Sequence, residues 1–154
     1  MDAAERALLH ALIADARIAA LATLRACAPM ASTLPFIAAP DLSAFHVHVS
    51  RLAWHTQDMA ADARVALAIA ERDDARDDPY ALARVSIRGD AAELAAAGDE
   101  FDRLKAAWLA RHPATAINFE LTDFRFWRIV PRDARFVAGY GRIHNLSAAD
   151  LRAR

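Results

Sequence analysis

Apolar and polar residues alternate along several segments of this chain, and elsewhere they follow the period of a helix. Alternation is strict over residues 45–50, which predicts a β-strand with one apolar and one polar face. The apolar face carries Phe45, Val47 and Val49, and the polar face carries His46, His48 and Ser50. A helix is predicted to open at His55, which shares one helical face with Met59 at i,i+4 spacing.

The same patterns place the remaining elements. Apolar residues at a helical period predict amphipathic helices over residues 2–15 and 98–111. Further strands are predicted at 18–24, 30–38, 64–71, 80–94, 124–130 and 134–138. Strands with inserted helices, without regular strand–helix alternation, indicate a mainly β protein, a small antiparallel barrel with peripheral helices. We expect a single domain that covers residues 1–154.

Proline, glycine and alanine mark local features of these strands. Pro35 cannot donate to a strand ladder, so it indicates an edge, a bulge or a ligand-facing opening. Gly89 allows a bend within a long strand, and the segment 131–133, which begins with proline, is expected to separate two strands. The turn at 25–29 lacks the glycine or asparagine usual in a tight hairpin. Alanines on one face of 64–71 permit close approach of a helix, a second subunit or a ring.

Composition narrows the class of protein. A formal net charge of −1 argues against a nucleic-acid or membrane-surface protein, because such proteins need a clustered positive face. The single cysteine, Cys27, excludes an internal disulfide and fits a reducing compartment. The first residues form an amphipathic helix rather than a signal peptide, and apolar runs stay below the roughly 18 residues of a membrane span. We therefore expect a soluble, cytoplasmic protein.

The candidate chemistry lies where the 45–50 strand meets the following helix. Ser50, Arg51, His55 and Thr56 combine two hydroxyls, a guanidinium and an imidazole at a helix entrance, where free N–H groups and the helix dipole favour an anion. This pattern predicts the phosphate site of a cofactor. An ordinary helix start capped by serine or threonine is the alternative interpretation.

Other groups give weaker signals. His46, His48 and His55 could form a three-histidine metal site, but no carboxylate completes it, and we predict no metal. Trp127 has the pattern of a core aromatic, with stacking on a ligand as the alternative. Because neither a protein nucleophile nor a pair of acid and base carboxylates is evident, any chemistry is expected to belong to a cofactor.

These segments together resemble the FMN-binding split-barrel family of pyridoxamine-phosphate-oxidase-like proteins, in the branch related to bacterial haem-utilisation proteins. The most specific match is Ser50-x-Leu52-Ala53-x-His55-Thr56, followed eight residues later by Arg64-Val65. The other matching segments are 20–24, 29–36 (PMASTLPF), 126–141 (FWRIVPRDARFVAGYG) and 146–151 (LSAADL).

The resemblance implies a homodimer with FMN in the groove between the subunits. It implies that the FMN phosphate lies among Ser50, Arg51, His55 and Thr56, and that the isoalloxazine lies beside Ser32, Thr33, Leu34 and Pro35. It also implies that Trp127 or Tyr140 approaches from the partner chain. His55 stands where many members carry lysine or arginine, so the phosphate would be held more strongly when this imidazole is protonated.

The expected function is that of an FMN-dependent oxidoreductase acting on a small molecule. The C-terminal sequence lacks the Arg-Leu-x-Pro-type segment of pyridoxamine phosphate oxidases, so that activity is not expected. It also lacks the extension of longer haem-utilisation relatives, so haem handling is not the leading expectation. The alternative is a non-catalytic module that binds haem or flavin, with His46, His48 and His144 as candidate axial ligands. A third reading is a dimeric structural protein without a cofactor.

Overall fold

Within residues 1–153, which the computed structural model describes, eight strands pair antiparallel in one sheet. The strands are β1 (Ile18–Arg25), β2 (Ala28–Pro35), β3 (Ile37–Ala38), β4 (Phe45–Ser50), β5 (Arg64–Ala70), β6 (Arg84–Glu93), β7 (Phe124–Val137) and β8 (Ile143–Ser147). The helices are α1 (Ala3–Asp15), α2 (Trp54–Ala61), α3 (Asp99–Arg111) and α4 (Ala148–Arg152), with 3-10 helices at Pro79–Ala81 and Pro113–Glu120. The order in the sheet is β2-β1-β5-β6-β7-β4-β3, and β8 pairs with β7. This arrangement confirms a mainly β fold with peripheral helices.

The prediction of two strands on either side of residues 131–133 is wrong, because β7 continues through them. Gly89 of β6 lies opposite Pro131, whereas Arg88 lies opposite Asp133, so Arg132 is an extra residue at a β-bulge. A bulge tolerates proline because the ladder is already interrupted there. Gly89 permits this contact, since a Cβ on it would lie 2.5 Å from the Val130 carbonyl oxygen.

The first hairpin turns on two residues that are unusual for such a turn. Ala26 and Cys27 both have positive φ, 49° and 66°, which lets β2 begin at residue 28 rather than at 30. The expectation that Pro35 marks an edge of the sheet is confirmed, because β2 is an edge strand and Pro35 is its last residue.

One strand boundary and two short elements differ from the sequence pattern. Strand β6 begins at Arg84 instead of residue 80, because Asp78 caps a 3-10 helix at Pro79–Ala81. The pattern did not predict the 3-10 helix Pro113–Glu120 or strand β8. Both are short elements with little periodicity of their own.

Strand β4 separates two apolar layers, because both of its faces are buried. Phe45, Val47 and Val49 face the main core inside the barrel. His48 faces a second layer beneath α3 and the segment Pro113–Glu120, which we call the aromatic cluster. Its members are His48, Phe101, Trp108, Phe119, Phe124 and Phe126. The polar face predicted for this strand is thus enclosed by aromatic rings.

Across the part of the chain that the structure describes, no helix is both long enough and apolar enough to cross a membrane.

Candidate functional site

Helix α2 is fixed to the barrel by a buried carboxylate. Asp58 accepts hydrogen bonds from the Thr23 hydroxyl and from Nη1 of Arg25, each at 2.9 Å. The Arg25 guanidinium in turn lies 4.2 Å from the centre of the Trp54 ring. These contacts hold the start of α2 beside the end of β1, and β2 pairs with β1 along this edge.

The Ser50 hydroxyl at the predicted phosphate corner is already engaged. It donates to the carboxylate of Asp123 and accepts from the Leu52 N–H at 3.1 Å. The backbone N–H of Arg51 donates to the Asp123 carbonyl at 2.8 Å. A phosphate on this hydroxyl would have to displace the carboxylate of Asp123, because the two anions would repel each other. The role of Ser50 as a phosphate ligand remains a prediction.

The other three corner residues differ in their access to solvent. Arg51 is exposed, His55 is half-buried and Thr56 is buried. Burial lowers the pKa of His55, against a smaller opposing effect of Asp58, and keeps the imidazole neutral at pH 7. The Thr56 hydroxyl has no hydrogen-bond partner among residues 1–153. Helix α2 begins at an N-cap, Ala53, without a side-chain cap in the described chain, so the alternative interpretation of a serine- or threonine-capped start is wrong. The phosphate site remains a prediction.

The four predicted β2 residues fall on two faces of the sheet. Thr33 is exposed and lies opposite Ala20, whereas Leu34 is buried in the main core. Ser32 and Pro35 are half-buried. Because alternate residues point to opposite faces, one ligand can meet all four only through the backbone of this edge strand.

Trp127 lies in the main core of its own chain with 4% of its surface exposed. Its indole N–H has no partner among the described residues. The approach of Trp127 to a flavin across a subunit interface remains a prediction, and it would require the ring to leave this core position. Tyr140, at 80% exposure on the turn before β8, is free to make that approach.

The outer face of the sheet carries a second arrangement, which the sequence analysis did not single out. Two rows of paired residues run across it from β2 to β8. One row is Ala31, Ala22, Ala66, Arg88, Asp133 and Ser147, and the other is Thr33, Ala20, Ala68, Ser86, Arg135 and Asn145. The rows carry five alanines and Thr33 on β2, β1 and β5, and they carry polar and charged residues on β6, β7 and β8, where Arg88 and Arg135 are accompanied by Asp133.

We call the apolar half, comprising Ala20, Ala22, Ala31, Ala66 and Ala68, the alanine face. The polar half surrounds a cavity of about 620 Å³, which we call the arginine cleft; it includes Ser86, Arg88, Arg132, Arg135, Asn145 and Ser147. The only signal for it in the sequence was that Arg84, Ser86 and Arg88 alternate with apolar residues on β6, so that both arginines lie on one face of this strand.

The three arginines of the cleft differ in their partners. Arg88 is paired with Asp133 at 2.7 Å, and Arg132 is paired with Asp90. Arg135 donates to the amide oxygen of Asn145 at 2.9 Å and has no carboxylate partner within residues 1–153. Arg135 is therefore the cation of the cleft that is available to an anionic group.

None of the six histidines, all in the described part of the chain, lies in these two rows. His46 and His48 are buried beneath α3, and burial lowers the pKa of each to about 4. His144 stacks on Phe136, with its Nε2 3.1 Å from the Glu5 carboxylate. Among residues 1–153, no group of three or more His, Cys, Asp or Glu side chains could hold a metal ion.

Comparison with known proteins identifies the family of this chain and shows structures with a similar fold. The family model described as pyridoxamine 5'-phosphate oxidase matches residues 6–138. The chain belongs to this family. The FAD-binding protein of Mesorhizobium loti has a similar structure, with a TM-score of 0.66 and 17% identity over 87% of this chain and 92% of that one. At that identity the likeness concerns the fold alone, and it agrees with the predicted split barrel.

Two more similar proteins carry names that refer to haem. The chain is 40% identical to the chloroplastic non-canonical heme oxygenase HOZ of Arabidopsis thaliana over 91 residues, 59% of this chain and 26% of that protein. It is 29% identical to a heme binding protein from Mycobacterium smegmatis, with a TM-score of 0.84, over 99% of this chain and 60% of that one. The chain thus spans about a quarter of the first protein's length.

Proposed function

We propose that this protein binds haem, with the acidic arms of the porphyrin directed to the arginine cleft. The observation that carries the proposal is the position of Arg135, a cation without a carboxylate partner among residues 1–153, beside the flat alanine face. Porphyrin combines a flat apolar ring with two propionate carboxylates. Guanidinium groups bind carboxylates through charge-assisted hydrogen bonds, and an alanine surface allows a ring to lie close to the sheet.

The size of the cleft and the relatives support the same proposal. A volume of about 620 Å³ lies within the range of roughly 300–1,000 Å³ that is usual for small-molecule and cofactor sites. The chloroplast and mycobacterial relatives are named for haem chemistry and haem binding. This chain matches only a part of each of those longer proteins, so their names support haem binding here as a proposal.

The residues fit the side arms of haem better than its iron. Since no histidine of the described chain lies in the two rows, we expect ferric haem to bind without a histidine ligand from this face. A high-spin absorption spectrum is the expected sign, whereas a low-spin spectrum of two histidine ligands would contradict this placement. This expectation replaces the hypothesis of axial ligation by His46, His48 or His144.

Reversing the charge of Arg135 tests the proposal. Haem added to the purified protein should give a Soret band, and Arg135→Glu should weaken haem affinity about tenfold, because a charge-assisted hydrogen bond is replaced by repulsion. Arg103→Glu makes the same charge change on the exposed side of α3 and should bind like the wild type. Equal affinity in all three proteins would exclude the cleft as the propionate site.

We further propose that a second copy of the chain covers the alanine face and closes the cleft. Five alanines on three adjacent strands leave an apolar surface in the single chain, on which Ala66 is half-buried and the other four are exposed. A second copy placed over the bound ring would remove this surface from water, and the resemblance to dimeric split barrels supports this assembly.

A bulky charge on this surface should prevent the assembly. We expect light scattering to report a dimer for the wild type and a monomer for Ala68→Arg, because the guanidinium would be buried without a partner. Ala110→Arg, on an exposed position of α3, is the matched control and should remain dimeric. A wild-type monomer would overturn the proposal.

FMN-dependent oxidoreduction of a small molecule is the second candidate. Exposed Arg51 beside the start of α2 favours it, together with the family to which the chain belongs. FMN would supply the redox chemistry, while Arg51 would hold the phosphate and the edge of β2 would meet the ring.

Flavin fluorescence should then show about tenfold weaker FMN binding in Arg51→Glu and no change in Arg135→Glu. The reverse ranking would move the phosphate to the cleft, and reduction of bound flavin by NADPH would test turnover.

A further inference from the structure

Arg84 is a further cation on the outer face of the sheet, beside the arginine cleft but outside its lining. Side chains of β6 alternate between the two faces of the sheet, so Arg84 lies on the same face as Ser86. Val85 and Ile87, which point the other way, are buried in the main core. Arg84 itself is half-buried, so part of this residue is open to solvent on the face that carries the proposed haem site.

The strand register brings Arg84 close to Arg135. Ser86 of β6 lies directly opposite Arg135 of β7, and Arg84 lies opposite Val137. Arg84 and Arg135 are therefore diagonal neighbours on adjacent strands, a relation in which the Cα atoms are about 7–8 Å apart and long side chains can meet. On its other side Arg84 lies opposite Ala70 of β5, so it stands between Arg135 and the strands of the alanine face.

The guanidinium of Arg84 is anchored through one of its three nitrogens. Its Nη1 donates to the backbone carbonyls of Tyr80 at 3.2 Å and Leu82 at 3.1 Å, whereas Nε and Nη2 make no hydrogen bond within residues 1–153. Arg135 is held in the same way, through Nη1 to the amide oxygen of Asn145. Each arginine thus keeps its Nε–Nη2 edge for a ligand, and two parallel N–H groups suit a carboxylate.

The charge of Arg84 is not neutralised by a carboxylate of the described chain. Glu71 lies near the start of β6, where its carboxylate accepts from the Ala83 N–H at 2.7 Å, but its ion pair is with Arg76 at 3.5 Å. The other two arginines around the cleft have carboxylate partners. Arg84 and Arg135 therefore form a pair of neighbouring cations that is open to two acid groups.

We propose that Arg84 is a second carboxylate-binding residue of the haem site, so that Arg135 binds one propionate and Arg84 binds the other. This inference rests on the proposed haem function. The two propionates leave neighbouring pyrroles on one edge of the porphyrin, so they can reach two cations set side by side while the ring covers the alanines. The pair of arginines makes the site prefer a porphyrin with two acid groups to a porphyrin with one.

Haem and its monomethyl ester, in which one propionate is blocked, test the inference on the full chain. Soret titrations should show that the wild type binds haem about tenfold more tightly than the ester, the contribution of one charge-assisted hydrogen bond. Arg84→Ala should bind haem about tenfold more weakly than the wild type does. It should bind the ester about as the wild type does, because the single carboxylate still reaches Arg135, so the preference for haem disappears.

The ratio of the two affinities separates carboxylate recognition from a general disturbance of the turn that Arg84 anchors. Such a disturbance would weaken both ligands equally and leave the ratio at about ten, which would overturn the inference. A wild type without a preference for haem would overturn it too. Arg103→Ala removes an exposed arginine from α3 and should keep both affinities and their ratio.

Failure of the haem proposal itself would look different. In that case haem would not bind, or it would bind equally to the wild type and to Arg135→Glu, and the role of Arg84 would fall with it. A weakened Arg135→Glu together with an unchanged ratio in Arg84→Ala would overturn only the role of Arg84.

Discussion

The free energy of unfolding should fall by about 5 kcal/mol as the pH is lowered from 6.5 to 4. Burial, assisted by the nearby Arg128 for His46 and by Arg125 and Lys105 for His48, lowers the pKa of each imidazole from 6.5 to about 4 in the folded chain. In this window the unfolded chain binds two protons that the folded chain excludes. Protonation therefore pulls the equilibrium toward the unfolded state, and the stability is fully present above pH 6.5.

Urea unfolding at several pH values, followed by circular dichroism, measures this loss. His48→Phe should keep its stability at pH 7, because a ring still fills the aromatic cluster, and should lose about half of the decrease between pH 6.5 and 4. The remaining half belongs to His46. A decrease of wild-type size in His48→Phe would show that other groups cause the acid sensitivity.

Replacing Gly89 with alanine should destabilise the protein by about 3 kcal/mol, at the upper end of the cost of overpacking. The added Cβ would lie 2.5 Å from the Val130 carbonyl oxygen and 3.1 Å from Cγ2 of Ile129. The first of these atoms belongs to the backbone of β7, which cannot move without disturbing the bulge opposite Gly89. The strain would therefore spread through the central strand pair of the sheet.

The midpoint of urea unfolding at pH 7 reports this effect. Ser86→Ala alters the same strand at an exposed position and should change the stability by less than about 0.5 kcal/mol. A Gly89→Ala protein within that same margin of the wild type would mean that the bulge relaxes without cost.

The candidate site was only partly predictable from the sequence. Helix α2 and the preceding strand were recognisable, since an alternating run ends where a helical pattern begins. The carboxylate that engages Ser50 was not, because Asp123 is 73 positions away along the chain. The arginine cleft likewise depends on the pairing of β6, β7 and β8, and the residues of these strands carry no common motif.

The sequence by itself determined the local elements and the mainly β class. Side-chain alternation specifies the two faces of a strand, and a proline or glycine restricts or frees the backbone wherever it stands. The tertiary structure alone decided that β7 continues through Pro131, that the polar face of β4 is buried under aromatic rings, and that alanines and arginines form two rows on one face. The physical reason is that strand pairing joins residues distant in sequence, so the partner of a residue, and with it the residue's burial and charge environment, is absent from any local pattern.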